Sequence, residues 1–231
     1  MSHGPIFIIG AGPGIGSHVA SVFATHSFTH LALIARSEIT LSSSKDFITS
    51  GTSTAAIHTY SADVADSGAL TTALETACQD LGGPEVIIYN AARMRYGTMD
   101  GYSDEDVVED YKVPVLGLRT TAHVLLPKLR SYATIHPEAH PSLFVTSGVI
   151  IHQPFAPVFS LGMAKAAQAH LVSLLAAAPE NKDVVHVALV TVGGPVSMEA
   201  EIDNPVNIAE RFWELFCQRK GEWALEMESG R

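Results

Sequence analysis

Four glycines, Gly10, Gly12, Gly14 and Gly16, follow directly on the apolar run Ile6-Phe7-Ile8-Ile9 and precede Ser17–Thr25, which reads as a helix. A turn of this kind lets the backbone bend tightly, come close to a ligand and present free N–H groups at a helix start. That is how proteins hold a dinucleotide pyrophosphate. The spacing is G-x-x-x-G-x-G through Gly10, Gly14 and Gly16; Ile15 stands where the common G-x-G-x-x-G pattern would need its last glycine. A tight turn with no ligand is the plainer alternative, and the position between strand and helix argues against it. A second constellation lies far downstream. Leu161 stands four residues before Lys165, one helical turn away, so an amine is paired with a side chain that can neither donate nor accept a proton.

The elements that must position these residues alternate along the chain. Apolar runs at Ile6–Ile9, Leu31–Ala35, Ile57–Tyr60, Val86–Tyr89, Leu143–Thr146 and Val184–Val192 are separated by helical patterns near 14–25, 66–81, 104–130 and 160–178. Repeated strand–helix alternation predicts an α/β fold, a parallel sheet covered by helices on both faces. Asn204-Pro205 reads as an N-cap with proline at the first helical position, leading through Phe212-Trp213 and Leu215-Phe216 to a stop at Gly221. Trp223–Met227 reads as a closing strand, and the Ser- and Thr-rich segment 40–54 as a polar helix end and loop.

With 231 residues, 47% of them hydrophobic and 16% charged, the chain can fill one sizeable core, and 1–231 reads as a single domain. A formal net charge of −10 argues against nucleic acid or an anionic membrane as partner. Cys78 and Cys217 lie too far apart for a disulfide framework or a metal site, so no metal is expected, and the cysteine usage fits a reducing, cytoplasmic setting. The apolar runs are too short to span a bilayer, and the first strand begins where a signal peptide would be.

Taken in order, further motifs make the chain resemble the short-chain dehydrogenase/reductase family along nearly its whole length. Ile9 replaces the threonine that usually opens that family's glycine motif. Asp63-Val64 matches the family's adenine-contacting Asp. Asn90-Ala91-Ala92 is similar to its N-A-G, with Tyr89 for the usual first Asn, and Gly193-Gly194-Pro195-Val196 is similar to the P-G turn beside the nicotinamide. The resemblance implies a single-domain Rossmann fold, doubly wound, with about seven parallel strands. It also implies a dinucleotide held by Gly10, Gly12, Gly14, Ile15, Gly16, Arg36, Asp63, Val64, Asn90, Ala91, Ala92, Lys165, Gly194 and Val196. Arg36 stands where NAD enzymes usually carry a carboxylate for the ribose hydroxyls. An Arg there pairs with a 2′-phosphate, so NADP(H) is expected over NAD(H).

The family's four catalytic roles belong to Asn, Ser, Tyr and Lys. Ser147 fits the Ser and Lys165 the Lys, whereas Lys112 takes the Asn position and Leu161 the Tyr position of Y-x-x-x-K. A positioned acid or base contributes about a hundred- to ten-thousandfold, so its loss matters. His152, five residues after Ser147, titrates in a suitable range, although a surface loop histidine is the blander reading. Lys112 is either a helix-surface lysine or a second amine beside Lys165 with its proton affinity lowered. Tyr96 and Tyr102, in the loop after the fourth strand, fit packing as well as catalysis. Only about Ser197 to Asp203 separates the P-G-like turn from the last helix, too short for a lid, so the pocket is expected open or closed by a neighbouring subunit. The apolar stretch around Ile150-Ile151 and Pro154-Phe155-Ala156-Pro157 fits a small hydrophobic substrate, of polyketide or terpenoid kind. Small residues on 160–178 and the resemblance imply a homodimer or homotetramer through that helix and 104–130.

Three functions are compatible with this reading. The first is an NADP(H)-dependent oxidoreductase on a carbonyl/alcohol pair with a non-standard proton donor. The second is a non-redox dehydratase, isomerase or cyclase on the same scaffold. The third is a dinucleotide-binding protein without catalysis.

Overall fold

Ile6–Ile9 forms the central strand β1, and its alternate side chains feed two separate apolar layers. Ile6 and Ile8 face one side, Phe7 and Ile9 the other, and all four are fully buried. A strand buried on both faces needs a continuous apolar run, which is what the sequence supplies. The computed structural model describes residues 3–51 and 55–230.

The elements follow as β1 (Ile6–Ile9), α1 (Ile15–Thr25), β2 (His30–Ala35), α2 (Glu38–Gly51), β3 (Ala56–Ser61), α3 (Ser67–Leu81) and β4 (Val86–Tyr89), then α4 (Asp104–Tyr111), α5 (Leu118–Ile135), β5 (Ser142–Gly148), α6 (Phe159–Ala177), β6 (His186–Val192), α7 (Pro205–Phe216) and β7 (Glu226–Glu228). The sheet has seven strands in the order β3-β2-β1-β4-β5-β6-β7, every pair parallel. Helices α1, α2 and α7 pack on one face and α3, α5 and α6 on the other. The strand order reverses between β1 and β4, and the crevice outside the carboxyl ends of those two strands is where such sheets take ligands.

Several boundaries differ from the sequence reading, each for a local reason. The segment 40–54 is helical through Gly51, because Leu41, Ser44 and Ile48 fall on one buried face despite the serines; Thr52–Thr54 lie outside the described residues. Helix 104–130 is broken in the middle. Lys112–Gly117 widens into a π turn around Pro114, whose ring and missing N–H cannot be fitted into an α ladder. The last helix stops at Phe216, before Gly221, and Gly221 adopts φ +94° in the turn beyond. The closing strand is shorter and later than expected, Glu226–Glu228, and Trp223 instead stacks on His186 with ring centroids 5.1 Å apart.

At the amino ends of the central strands, opposite the crevice, Glu85 ties the entries to β1, β4 and β5 together. Its carboxylate accepts from Gly4 N at 2.6 Å and His140 N at 3.2 Å, with His3 Nδ1 at 3.4 Å. Burial alone would raise its pKa, but these donors outweigh burial and hold it below the ordinary value of 4.5. A carboxyl whose folded pKa is depressed adds stability above its unfolded pKa and loses it as pH falls through the folded one. Urea unfolding measured from about pH 5 down to about pH 3 should therefore show a steep loss of stability in the wild type. The slope should be shallower in Glu85→Gln. Equal slopes would show that Glu85 does not carry the acid sensitivity.

Candidate functional site

The glycine turn sits at the carboxyl end of β1, against the end of β4. Gly10 has φ +89°, and a Cβ there would stand 2.7 Å from Ala91 Cα and 2.8 Å from the Asn90 carbonyl carbon. A Cβ on Gly16 would stand 2.7 Å from Gly10 O, so the start of α1 can approach the strand only as glycine. Gly12 and Gly14 behave differently. Nothing lies within 4 Å of a Cβ built on Gly14, and only Thr40 Cγ2 at 4.0 Å meets one on Gly12. Ser17 Oγ donates to Gly12 O at 2.5 Å, and His18 Nδ1 lies 2.9 Å from Gly14 O, so the turn is held from within α1.

The donor set fits a dinucleotide. Helix α1 opens with no side-chain cap and no acidic residue in its first turn, which leaves its N-terminal field for an anion. Gly12 and Gly14 leave room beside it. Ile15 and Gly16 begin the helix itself. Arg36 is largely exposed at the end of β2, its Nη1 only 3.9 Å from Asp63 Oδ2, and Ser37 lies 3.5 Å from Thr40 N at the start of α2. Such a loose, exposed pair leaves the guanidinium available. Asp63 Oδ1 also accepts from Ala65 N at 2.9 Å, and Val64 is buried beneath it. Ala91 is buried beside Gly10 and Ala92 is exposed. Gly193, just before Gly194, donates to Asp203 Oδ1 and Ser229 Oγ, both at 3.1 Å, and Val196 is 40% exposed. No helix separates Val192 from Pro205, as the short spacing implied.

From the glycine turn a chain of hydrogen bonds runs into the protein. Asn90 Nδ2 donates to Gly10 O at 3.0 Å, and Thr146 Oγ1 donates to Asn90 Oδ1 at 2.8 Å. Lys165 Nζ donates to Thr146 O at 2.7 Å and to Gln168 Oε1 at 2.8 Å. Gln168 Nε2 donates to Pro114 O at 2.8 Å. The glycine turn, the ends of β4 and β5, helix α6 and the π turn are thus linked through polar groups that are mostly buried.

Lys165 is deeply buried with no carboxylate partner among the described residues, where its two acceptors are a peptide carbonyl and an amide. Removal from water pulls its pKa down from 10.5 to about 8. At 1.36 kcal/mol per unit, burial costs the ammonium about 3 kcal/mol relative to the amine. An ammonium has three N–H donors, and among the described residues only two find acceptors. Ser147 Oγ, on the next residue after Thr146, is buried with no hydrogen-bond partner among the described residues, as is Ser160 Oγ beside Leu161 in sequence. Orphaned buried hydroxyls are rare, and one at a strand end, on the residue after the lysine's carbonyl acceptor, fits a ligand's oxygen. Leu161 is buried one turn before Lys165.

The other expected proton carriers are turned to different partners. His152 Nε2 lies 2.8 and 3.0 Å from the two oxygens of Glu226, which also accepts from Thr191 Oγ1 at 2.6 Å. Lys112 Nζ donates to Glu109 at 2.5 Å, in a partly exposed pair. Tyr102 donates to Arg95 O at 3.1 Å beneath the Arg95 guanidinium, whereas Tyr96 is 72% exposed. Ile150 and Ile151 form a short 3-10 turn after β5, and Phe155 is 55% exposed. Sequence reasoning missed Gln168 and the inward role of Tyr89, whose buried phenol donates to Val113 O of the π turn. A signal for Gln168 does exist, since residues 161, 165, 168 and 172 lie on one buried face of α6.

Among solved structures, an L-sorbose reductase from Gluconobacter frateurii, complexed with NADPH and L-sorbose, has a TM-score of 0.86 at 18% identity, covering 100% of this chain and 97% of that one. A short chain oxidoreductase from Pseudomonas aeruginosa PAO1, NADPH-bound and described as containing an atypical catalytic center, has a TM-score of 0.82 at 19% identity over 98% of this chain and 96% of that one. An NADH-dependent reductase complexed with NAD reaches 0.84 at 13% identity over 98% and 95%. At such identities the likeness is one of fold. No curated protein sequence matches the chain. The model of the short chain dehydrogenase family, in contrast, matches residues 5–205, from the entry to β1 through the first residue of α7. On that match the chain belongs to the short chain dehydrogenase family.

Proposed function

We propose that this protein is an NADP(H)-dependent oxidoreductase that interconverts a small hydrophobic carbonyl compound and its alcohol, with Lys165 as the proton carrier. The observation that carries the reading is a buried lysine with no counter-ion among the described residues, joined by hydrogen bonds through Thr146 and Asn90 to the glycine turn, with the Ser147 hydroxyl next along β5 buried and without a hydrogen-bond partner among the described residues. When bound, the nicotinamide supplies a hydride to a carbonyl carbon or takes one from an alcohol carbon. Ser147 donates a hydrogen bond to the substrate oxygen as its negative charge grows. The Lys165 ammonium delivers a proton to that oxygen and becomes the neutral amine, which solvent reprotonates. In the family a tyrosine one turn earlier fills the donor role. Leu161 cannot, so the ammonium that would have supported a phenol acts in its place. A lysine that loses its proton near pH 8 is suited to this exchange at neutral pH.

Arg36 supports NADP(H) as the cofactor. A guanidinium contact with a 2′-phosphate contributes about 1.5–3 kcal/mol. Arg36→Ala should therefore weaken NADPH binding about ten- to a hundredfold in a fluorescence titration and leave NADH binding nearly unchanged. Equal loss for both cofactors would remove the case for NADP. The exposed apolar residues Val108 and Leu116 on the 104–130 segment, with Met163 and Leu174 on α6, support a homodimer or homotetramer through these elements. Light scattering that finds only monomer would overturn it.

The test of function is NADPH consumption over a panel of small apolar ketones and aldehydes. Oxidation of NADPH with equimolar alcohol formation supports the reading. Product formed without cofactor oxidation favours the non-redox dehydratase, isomerase or cyclase. NADPH bound with no turnover of any kind favours a dinucleotide-binding protein without catalysis.

A further inference from the structure

We infer that Gln168 is the positioning residue of this site: its side-chain amide bridges Lys165 to the Pro114 carbonyl of the π turn and thereby sets where the lysine sits and how readily it releases its proton. The inference rests on the reading that Lys165 carries the proton. Lys165 and Gln168 are three residues apart on α6 and share its buried face. Gln168 is fully buried, and both ends of its amide are engaged: Oε1 accepts from Lys165 Nζ at 2.8 Å and Nε2 donates to Pro114 O at 2.8 Å. These partners fix the orientation of the amide. A peptide carbonyl only accepts and an ammonium only donates, so the reversed amide would face a like group at each end.

The π turn supplies the anchor. Pro114 cannot continue the α ladder, and the widened segment places two of its carbonyls against buried side chains from other elements, Val113 O against Tyr89 and Pro114 O against Gln168. Tyr89 and Gln168 therefore hold the turn from two sides, and the turn in turn holds Gln168.

The amide is neutral, and this determines the chemistry. A carboxylate in its place would pair with the ammonium and hold its proton. An alkyl group would leave the ammonium with one acceptor in an apolar surrounding. Most titratable and charged groups on the elements packed against α6 have other partners. On α4, Asp106 pairs with Arg95 and Glu109 with Lys112, while Asp110 is buried 3.5 Å from Arg93 Nε with neither carboxylate oxygen hydrogen-bonded among the described residues. On β4, Tyr89 donates to the π turn, and after β5 His152 pairs with Glu226. On β6, His186 lies 2.9 Å from Ala224 O. None of these forms an ion pair or hydrogen bond with Lys165 among the described residues, and burial is the cause that acts on it.

The experiment reads Lys165 directly in the cofactor-free protein, by NMR titration of 13Cε-labelled lysine, with the resonance assigned by its loss in Lys165→Met. Gln168→Glu should move the Lys165 titration upward by about one to three pH units. Gln168→Met should move it downward, and serves if Gln168→Glu does not fold. The pH profile of kcat should move in the same direction in each variant, with a smaller change in KM. An unmoved Lys165 titration in folded variants overturns the positioning role. A moved titration with an unmoved pH profile of kcat upholds the positioning role and overturns Lys165 as the proton carrier.

Discussion

Replacing Lys165 by methionine is expected to lower carbonyl reduction by about a hundred- to ten-thousandfold, the usual contribution of a positioned proton donor. The substitution keeps an unbranched chain of similar length and removes an amine that loses its proton near pH 8. It also leaves Thr146 O and Gln168 Oε1 without their donor. Each orphaned buried acceptor costs about 1–3 kcal/mol, and relief of the ammonium's burial cost of about 3 kcal/mol offsets much of the two, so the net loss of stability should be at most about 3 kcal/mol. The two losses separate cleanly. Stability is read from denaturant midpoints, and the chemical step from single-turnover oxidation of bound NADPH at temperatures where the variant is folded. A folded Lys165→Met protein that reduces substrate at the wild-type rate would remove Lys165 from the chemistry.

Gly10→Ala is expected to be the most damaging single substitution in the glycine turn. At φ +89° an L-residue is strained by about 1–2 kcal/mol, and the added methyl group meets the Asn90-Ala91 backbone. Forcing atoms into a packed site costs about 1–3 kcal/mol more. Together, about 2–5 kcal/mol is a large share of the about 5–15 kcal/mol that holds a folded domain together. The melting temperature should fall by about 5–20 °C. Any shift of β1 from β4 that relieves the clash also moves Asn90 off Gly10 O, so NADPH binding should be lost in whatever protein remains folded. Gly14→Ala is the contrasting control for stability. Its Cβ meets nothing within 4 Å inside the protein, so stability should hardly change while cofactor binding weakens. Equal stability losses for the two variants would contradict this account of the turn.

Much of this architecture can be read in the sequence because the signals are local. A run such as Ile6–Ile9 must be buried on both faces, and a glycine turn between strand and helix is suited to a phosphate as few backbone arrangements are. The relation of Leu161 to Lys165 follows from helical periodicity alone. What cannot be read depends on contacts between distant segments. His152 and Glu226 are 74 residues apart, and no local pattern joins them. Pro114 signals the break within 104–130, but not its consequence, because the partner of the Pro114 carbonyl, Gln168, is 54 residues later. Much of helix α2 reads as a loop in the sequence because serine and threonine favour turns and caps. Its three buried positions outweigh that preference once they pack on the sheet.

On the proposed reading, Leu161 in place of a phenol does not leave the site without a proton source. Among the described residues Lys165 has only neutral acceptors, and it is buried, conditions under which a lysine becomes a usable acid near neutral pH. The most direct measurement is the pH dependence of hydride transfer from NADPH to a carbonyl substrate in single turnover, in the wild-type protein. The expected result is one ionisation near pH 8, with the rate constant falling about tenfold per unit above it as the ammonium is lost. A rate that stays level through that range, or an ionisation that persists in Lys165→Met, would contradict it.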